Sequence, residues 1–419
     1  MNTWLRKLLK ILGILVGVLA VIVVILIIFV QLTWDRQVSR AVPQMSAPTD
    51  AQVVARGEYL YKYSLNCWDC HGSQGSHSPD EPQAGGREFD LTGIGLPGGF
   101  GFVYASNITP DPETGIGAWS DGELMRALRE GLDPEGNLLF PIMEAEWWQG
   151  LSDEDTLALV AYLRSLPPVR NKVPENRYTF AAKALMALGI VKSQPAITEP
   201  VTAPPKGVTA EYGKYLVYHA STCVGCHTPR NFSTGQFDLT RPFAGGLAPV
   251  PDKRFSTTGS NLTPDPATGI GNWTEEQFMT AMRIGVRPNG TVLLPFMPWP
   301  SYYRWDEDDL RAIWLYLSSL EPIVHEIPAT TLTGAAATGT GIERGEGLYD
   351  VYCVICHGER GSGGSFTTVA LKDVAKNLDD ARLSGFISKG LPGSAMPGFG
   401  ETLADEQIAD LVALIRSWQ

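Results

Sequence analysis

Every cysteine of the 419-residue chain belongs to one of three copies of the pattern Cys-x-x-Cys-His, at 67–71, 223–227 and 353–357. Two thiols at this spacing can each form a thioether with one vinyl group of a haem, and the histidine that follows is then held at the iron. The pattern therefore predicts three covalently bound haem c groups. The predicted thioethers come from Cys67, Cys70, Cys223, Cys226, Cys353 and Cys356, and the predicted iron ligands are His71, His227 and His357.

Zinc and disulfide bonds are the two other common uses of paired cysteines. A structural zinc site needs four ligands, and no second Cys/His pair follows any of the three motifs. Disulfide bonds would not require a histidine after each second cysteine. Both alternatives are therefore less consistent with the pattern than haem attachment.

The residue on the other side of each iron decides what the haem can do. An iron bound by histidine alone can take up small molecules, whereas a methionine thioether closes the site and raises the potential, which favours electron transfer. Met297 and Met396 each lie in a Gly/Pro-rich loop and precede a proline, which favours them as ligands. Met143 aligns with Met297 and is the predicted ligand in the first domain, although Glu144 follows it in place of proline; His77 is a weaker rival there.

The first two haem motifs lie in an internal duplication. The segment 107–119, Asn-Ile-Thr-Pro-Asp-Pro-Glu-Thr-Gly-Ile-Gly-Ala-Trp, recurs 154 residues later at 261–273 with three changes. The haem motifs are 156 residues apart, so a two-residue length change lies between them and this core. Such a period is far longer than a solenoid repeat and indicates a duplicated domain.

Apolar residues at helical spacing predict the same helices around each motif. One helix precedes or contains the motif (51–66, 210–222 and 343–352), and an amphipathic helix follows in the duplicated domains (120–130 and 274–284). A closing helix begins at an acidic turn, at 152–155 and 306–309, and the third domain ends in a similar helix at 403–418. The segment 178–191 is predicted as a helix that packs on a domain or touches the membrane.

The N-terminus carries Arg6, Lys7 and Lys10, and a run of twenty uncharged residues follows at 11–30. Twenty apolar residues match the hydrocarbon core of a bilayer. A cleaved signal peptide has a shorter apolar region and a small-residue cleavage site, so an uncleaved transmembrane anchor is the better interpretation. The basic end then stays in the cytoplasm, which places the haem domains on the periplasmic side of the cytoplasmic membrane.

The formal net charge of −12 is concentrated at 48–170, where 19 acidic residues face 7 basic ones. This balance argues against a nucleic-acid partner. An acidic domain could steer a basic redox protein to itself, or the surplus could serve solubility alone.

These motifs resemble the membrane-bound triheme cytochrome c subunits of periplasmic alcohol, gluconate and aldehyde dehydrogenases. The resemblance rests on the three haem motifs, on Ser-Asn-Ile-Thr-Pro-Asp-Pro-Glu-Thr-Gly-Ile-Gly-x-Trp from Ser106, and on a methionine loop ahead of Tyr-Leu-Arg-Ser-Leu-Pro-Pro at 162–168. It implies an all-α fold of three tandem class I-like cytochrome c domains behind one N-terminal transmembrane helix. The expected boundaries are 1–34 for the stub and anchor, 48–170 for domain 1, 171–207 for a linker, 208–325 for domain 2, 326–340 for a linker and 341–419 for domain 3.

The resemblance also implies a function in electron transfer and no catalytic site of the chain's own. The expected donor is a dehydrogenase catalytic subunit, and the expected acceptor is quinone or a downstream redox protein. The sequence leaves open a free-standing respiratory or photosynthetic carrier that links a quinol-oxidising complex to an oxidase or reaction centre. A haem enzyme such as a peroxidase would need an open iron, for which domain 1 leaves the most room.

Overall fold

A computed structural model describes residues 3–72, 78–93, 98–231, 236–246, 250–251, 254–364, 366–367 and 369–419. The chain begins with helix α1 (Thr3–Thr33), in which Val30 is the one buried residue. Among the described residues, α1 is the one helix long and apolar enough to cross a membrane. By length and composition, α1 could serve as a membrane anchor or as a signal sequence.

The remaining helices follow the duplication, and we call 48–170 the first repeat, 208–325 the second repeat and 341–419 the third unit. The first repeat holds α2 (Ala51–Tyr59), α3 (Cys67–His71), α4 (Asp121–Glu130), α5 (Ala145–Trp148) and α6 (Asp153–Ser165), and α7 (Phe180–Ala187) follows it. The second repeat holds α8 (Ala210–Tyr215), α9 (Cys223–His227), α10 (Glu275–Ile284), α11 (Trp299–Tyr302) and α12 (Glu307–Ser318). Next come α13 (Gly334–Thr338), α14 (Gly341–Tyr352), α15 (Val354–His357), α16 (Leu371–Ala375), α17 (Asp380–Lys389) and α18 (Asp405–Ser417). The helices expected around each motif are thereby confirmed.

Two small antiparallel sheets were not expected from the sequence. The first joins β1 (Glu88–Asp90), β2 (Gly101–Tyr104) and β3 (Arg177–Tyr178), and the second joins β4 (Val250–Pro251), β5 (Phe255–Thr257) and β6 (Thr331–Leu332). These strands have two to four residues, too few for an alternating pattern to stand out. The last strand of each sheet comes from a segment predicted as a linker, so both segments pack on the repeat that they follow.

In each unit the helix ahead of the haem motif crosses the closing helix at a glycine. A Cβ atom on Gly57 of α2 would overlap the carbonyl oxygen of Ala158 in α6, and one on Gly213 of α8 would overlap that of Ala312 in α12. Gly345 of α14 meets α18 in the same way. The missing side chain lets the two backbones touch, and this contact fixes where the following Cys-x-x-Cys-His segment begins.

The two repeats pack on each other through equivalent residues. Tyr59 donates a hydrogen bond of 2.9 Å to Asp309, and Tyr215 donates one of 2.6 Å to Asp155. Tyr59 and Tyr215 occupy matching positions in the duplication, as do Asp155 and Asp309. Ser64 donates a hydrogen bond of 2.5 Å to the carbonyl of Ala220, its own counterpart. This reciprocity is that of a two-fold interface within one chain, and a single apolar cluster spans it.

The third unit packs on the second repeat at another surface. The backbone N–H of Val292 donates a hydrogen bond of 2.7 Å to the hydroxyl of Thr402. Phe255, Val292 and Trp299 of the second repeat lie in the same apolar cluster as Leu348 and Leu411 of the third unit.

Candidate haem sites

The first two motifs are presented by the same unusual backbone. Helix α2 ends in a π-helical turn, Leu60–Ser64, and α8 ends in one at Leu216–Ala220. The residue just before the first cysteine is then left-handed, with φ of 51° at Asn66 and 50° at Thr222. A β-branched residue such as Thr222 rarely adopts this conformation. π-Turns of this kind concentrate at functional sites, and here each one sets the start of the short helix that carries both cysteines and the histidine.

The third motif is presented differently. Helix α14 runs to Tyr352 and is followed directly by Cys353 and α15, with no π-turn and no left-handed residue before the cysteine. The third site is therefore not a copy of the other two. It lies against a separate apolar cluster.

All six cysteines are described, and none forms a disulfide bond. Burial raises the pKa of Cys67 and Cys353 to about 12 and that of Cys223 to about 11. These thiols are therefore neutral at physiological pH and lie among apolar side chains. Thiols that are unpaired, neutral and packed against apolar side chains suit bonding to the apolar edge of a porphyrin.

Each of the first two histidines is oriented by one backbone carbonyl. His71 and His227 are buried, and their Nδ1 atoms lie 2.8 Å and 2.7 Å from the carbonyl oxygens of Ser106 and Ser260. Burial lowers the pKa of both imidazoles. A neutral ring whose Nδ1–H donates to a carbonyl leaves Nε2 as the free ligand atom, which is the usual arrangement for an imidazole bound to a metal.

The corresponding atom of the third histidine has no such partner among the described residues. Nδ1 of His357 is buried and has no hydrogen-bond partner in the described part of the chain. Burial lowers the pKa of this imidazole as well.

The loops around the second motif leave room for no additional side chain. A Cβ atom on either Gly246 or Gly259 would overlap the carbonyl oxygen of Cys226. Gly245 donates its N–H to the carbonyl of His227 at 2.9 Å. The segment after the motif therefore folds back onto it and forms one wall of the site.

The three candidate methionine ligands lie in half-buried loops. Met143 ends a 3₁₀-turn, Pro141–Met143, and Met143 and Met297 both pack against the apolar cluster that Cys67 and Cys223 also contact. Met396 lies between α17 and α18 in a loop whose Phe399 packs edge-on against Tyr352, with 5.7 Å between ring centroids. By contrast Met125, in the middle of α4, is fully buried in the core.

Glu144 marks a chemical difference between the two repeats. Glu144 occupies the position that Pro298 has in the second repeat. Its backbone is left-handed, with φ of 52°. Its carboxylate accepts a hydrogen bond of 2.7 Å from the hydroxyl of Thr222. Burial raises the pKa of Glu144 to about 7, although the bond from Thr222 opposes this shift. The methionine loop of the first repeat thus touches the cysteine motif of the second.

Arg129 and Arg283 occupy equivalent positions near the ends of α4 and α10, where a guanidinium group can pair with a haem propionate or lie on a solvated helix face. Arg129 is instead buried, and it bonds the carbonyl of Leu151 at 3.1 Å and the carboxylate of Asp153 at 2.6 Å. Arg283 bonds the carbonyls of Tyr303 and Trp305. Both guanidinium groups therefore tie the amphipathic helix to the start of the closing helix.

The repeated Asn-x-Thr-Pro-Asp motif fixes a loop turn through bonds between its side chains and the backbone. The side-chain oxygen of Asn107 accepts from the N–H and the hydroxyl of Thr109, and its amide donates to the carbonyl of Val169 at 2.8 Å. Asn261 makes the equivalent bonds to Thr263 and Ile323. The remaining histidines serve structure, with His219 bonded to the carbonyl of Trp147 and His325 to that of Ala244. His77 lies outside the described residues.

Two family models match the chain. The cytochrome c model matches residues 54–167, and the model for cbb3-type cytochrome c oxidase subunit III matches residues 340–415. These spans contain the first and the third Cys-x-x-Cys-His motif. Domains of this kind carry covalently bound haem c.

The chain is also similar to curated proteins along most of its length. It is 30% identical over 396 residues to the cytochrome c subunit of the quinone alcohol dehydrogenase of Gluconacetobacter polyoxogenes, which covers 88% of this chain and 81% of that one. It is 31% identical over 407 residues to the gluconate 2-dehydrogenase cytochrome c subunit of Pantoea cypripedii, with 87% and 86% covered. It is 30% identical over 408 residues to one subunit of the nicotinate dehydrogenase of Pseudomonas putida, and it spans 32% of that protein.

The similarity to the alcohol and gluconate dehydrogenase subunits extends over both repeats and the third unit. Together with cysteine and histidine geometry suited to haem attachment, it shows that the chain belongs to the family of cytochrome c subunits of these dehydrogenases, which are electron-transfer subunits rather than catalytic ones.

Proposed function

We propose that this chain is a membrane-anchored triheme cytochrome that passes electrons from a partner dehydrogenase to quinone or another downstream acceptor. The observation that carries the proposal is the threefold recurrence of one arrangement. A helix crosses a closing helix at a glycine and then delivers Cys-x-x-Cys-His into apolar surroundings, and a methionine loop follows. We accordingly retain 48–170, 208–325 and 341–419 as three cytochrome c domains.

The cysteines, histidines and methionines of each site would have different roles in holding the haem. The cysteine pairs 67/70, 223/226 and 353/356 attach the porphyrin, and the neutral imidazoles of His71, His227 and His357 bind the iron. Met143, Met297 and Met396 would supply the second protein ligand to each iron and would keep small molecules from the metal. Haem c, when bound, supplies a one-electron couple, and a thioether ligand suits that couple to transfer rather than to catalysis.

The interface between the repeats supports direct exchange between the first two sites. Glu144 follows Met143 in the chain and contacts Thr222, which precedes Cys223. The carboxylate also lies close to Gly225 within the second motif. Two redox sites whose ligand-bearing segments touch in this way need no intervening carrier.

The side of the membrane on which the haem domains lie is inferred from the charges at the start of α1. The basic residues Arg6, Lys7 and Lys10 favour a cytoplasmic N-terminus. The haem domains then lie on the periplasmic side, where the partner dehydrogenase is expected.

Two other functions remain as alternative outcomes of the test. A free-standing carrier would link a quinol-oxidising complex to an oxidase or reaction centre. A haem peroxidase would require an iron without a methionine ligand, and the first site is the candidate because Glu144 replaces the proline of the second repeat.

The proposal is tested by purifying the tagged full-length chain from its own membranes in mild detergent. We expect a dehydrogenase catalytic subunit to co-purify and the intact mass to include three haem groups. Recovery with an oxidase or a quinol-oxidising complex alone would contradict the dehydrogenase function in favour of the free-standing carrier. A mass with two haems would contradict the three-site assignment.

A further inference from the structure

The segment 176–192, which includes α7, differs in composition from the acidic repeat that precedes it. It contains Arg177, Lys183 and Lys192 and no acidic residue. Three of its large apolar side chains are exposed: Phe180 by 47%, Leu188 by 62% and Ile190 by 55%. Within α7 only Ala182 is buried. An exposed apolar surface that also carries positive charge is typical of a helix at a membrane surface.

This segment is joined to the end of α1. Helix α7 packs against α1, and the ring of Tyr178 meets that of Trp34 edge-on with 5.8 Å between centroids. The ammonium group of Lys183 lies 4.5 Å from the centre of the Trp34 ring. Trp34 follows the last helical residue of α1, which is the level at which tryptophan and tyrosine mark the boundary between lipid and water.

The same segment also contacts the methionine loop of the first repeat. Tyr178 stacks on Phe140, with 5.8 Å between ring centroids, and Phe140 precedes the turn that ends in Met143. Pro141 and Lys192 line one small cleft. A continuous set of contacts therefore leads from the end of α1 through Tyr178 and Phe140 to the loop of the first site.

We propose that α7, with Leu188 and Ile190, is an interfacial helix that inserts its apolar side chains into the outer surface of an anionic phospholipid bilayer beside α1. The inference rests on the proposed membrane attachment and deepens it. The segment 176–192 carries three basic residues and no acidic one, so an anionic lipid surface attracts it. The first repeat is then held against the membrane, and Tyr178 and Phe140 connect its methionine loop to the segment that contacts lipid.

The test uses the full-length, haem-loaded chain in vesicles of phosphatidylethanolamine and phosphatidylglycerol that contain a photoactivatable phospholipid. After illumination, peptides that carry lipid are identified by mass spectrometry. We expect lipid adducts on α1 and on 180–190. Adducts on α1 with none on 180–190 would overturn this inference and leave the anchor intact. If α1 itself carried none, the proposed anchoring would fail and this inference with it.

Matched variants separate lipid contact from unspecific labelling. The triple substitution Phe180→Ser, Leu188→Ser and Ile190→Ser changes exposed side chains only, and we expect it to abolish the adducts on 180–190. The control carries Val324→Ser and Leu239→Ser, which are 75% and 57% exposed in the second repeat. Labelling of 180–190 should be unchanged in the control. Equal loss in both variants would contradict the proposal, and haem absorbance verifies that each variant is folded.

Discussion

The hydroxyl of Thr222 donates a hydrogen bond of 2.7 Å to the carboxylate of Glu144. This bond joins the residue before the second haem motif to the residue after the first methionine ligand candidate. Both residues are left-handed, with φ of 50° and 52°, a conformation that costs an L-residue about 1–2 kcal/mol. The pair also breaks the symmetry of the interface, because the matching positions are Asn66 and Pro298.

Thr222→Val should therefore destabilise the contact between the repeats. The substitution keeps the shape of the side chain but removes the donor to a buried carboxylate, which costs about 1–3 kcal/mol. Urea denaturation followed by far-UV circular dichroism measures the loss. In a double-mutant cycle with Glu144→Gln, we expect a coupling energy of about 1 kcal/mol or more. Strict additivity of the two substitutions would contradict an energetic link between the sites.

The glycines at the helix crossings should tolerate no side chain. We expect Gly213→Ala to lower the free energy of unfolding by about 1–3 kcal/mol, since the added methyl group must displace the backbone of α12. Gly385 lies inside α17 with no atom near the position of a Cβ. Gly385→Ala should be neutral or stabilising by up to about 1 kcal/mol. Similar effects of the two substitutions would show that the crossing is not a tight contact.

The methionine assignments predict a spectroscopic change at one site at a time. Met143→Ala, Met297→Ala and Met396→Ala should each remove about a third of the far-red absorption that sulfur-to-iron charge transfer gives in the oxidised protein. Met125→Leu, a change within the core of α4, is the control and should leave this absorption intact. An unchanged spectrum in Met143→Ala would contradict methionine ligation in the first repeat and would support an iron with an open position there.

Asp309 should make stability depend on pH. Burial raises the pKa of Asp309, and Lys206, Tyr59 and Arg56 oppose that shift. The folded state then holds the proton of Asp309 more tightly than the unfolded chain does. The free energy of unfolding therefore falls as pH rises from the pKa of Asp309 in the unfolded chain to its higher pKa in the folded state. Asp309→Asn still accepts the bond from Tyr59 and cannot ionise. The variant should gain stability relative to the natural protein as pH rises from the unfolded pKa of an aspartate, about 4, towards neutrality, as urea denaturation at several pH values would reveal. A constant difference would contradict the raised pKa.

Local patterns in the sequence predicted the helices and the three motifs, because helical periodicity and Cys-x-x-Cys-His spacing lie within short windows. They did not predict the π-turns at Leu60 and Leu216, which depend on where α2 and α8 must end. The small sheets were missed because β3 and β6 pair with strands far away in the chain. The contact of Glu144 with Thr222 spans 78 residues, and its one trace in the sequence is the loss of the proline that the second repeat keeps at 298.

The reciprocal bonds of Tyr59 with Asp309 and of Tyr215 with Asp155 make the surface between the repeats complementary to its own copy. A surface that is complementary to its own copy first serves to pair identical molecules. Here both copies of that surface belong to one chain, so the pairing does not depend on protein concentration. Joining the copies in one chain also frees the two halves from being identical, so Glu144 stands on one side of the contact while its counterpart is Pro298.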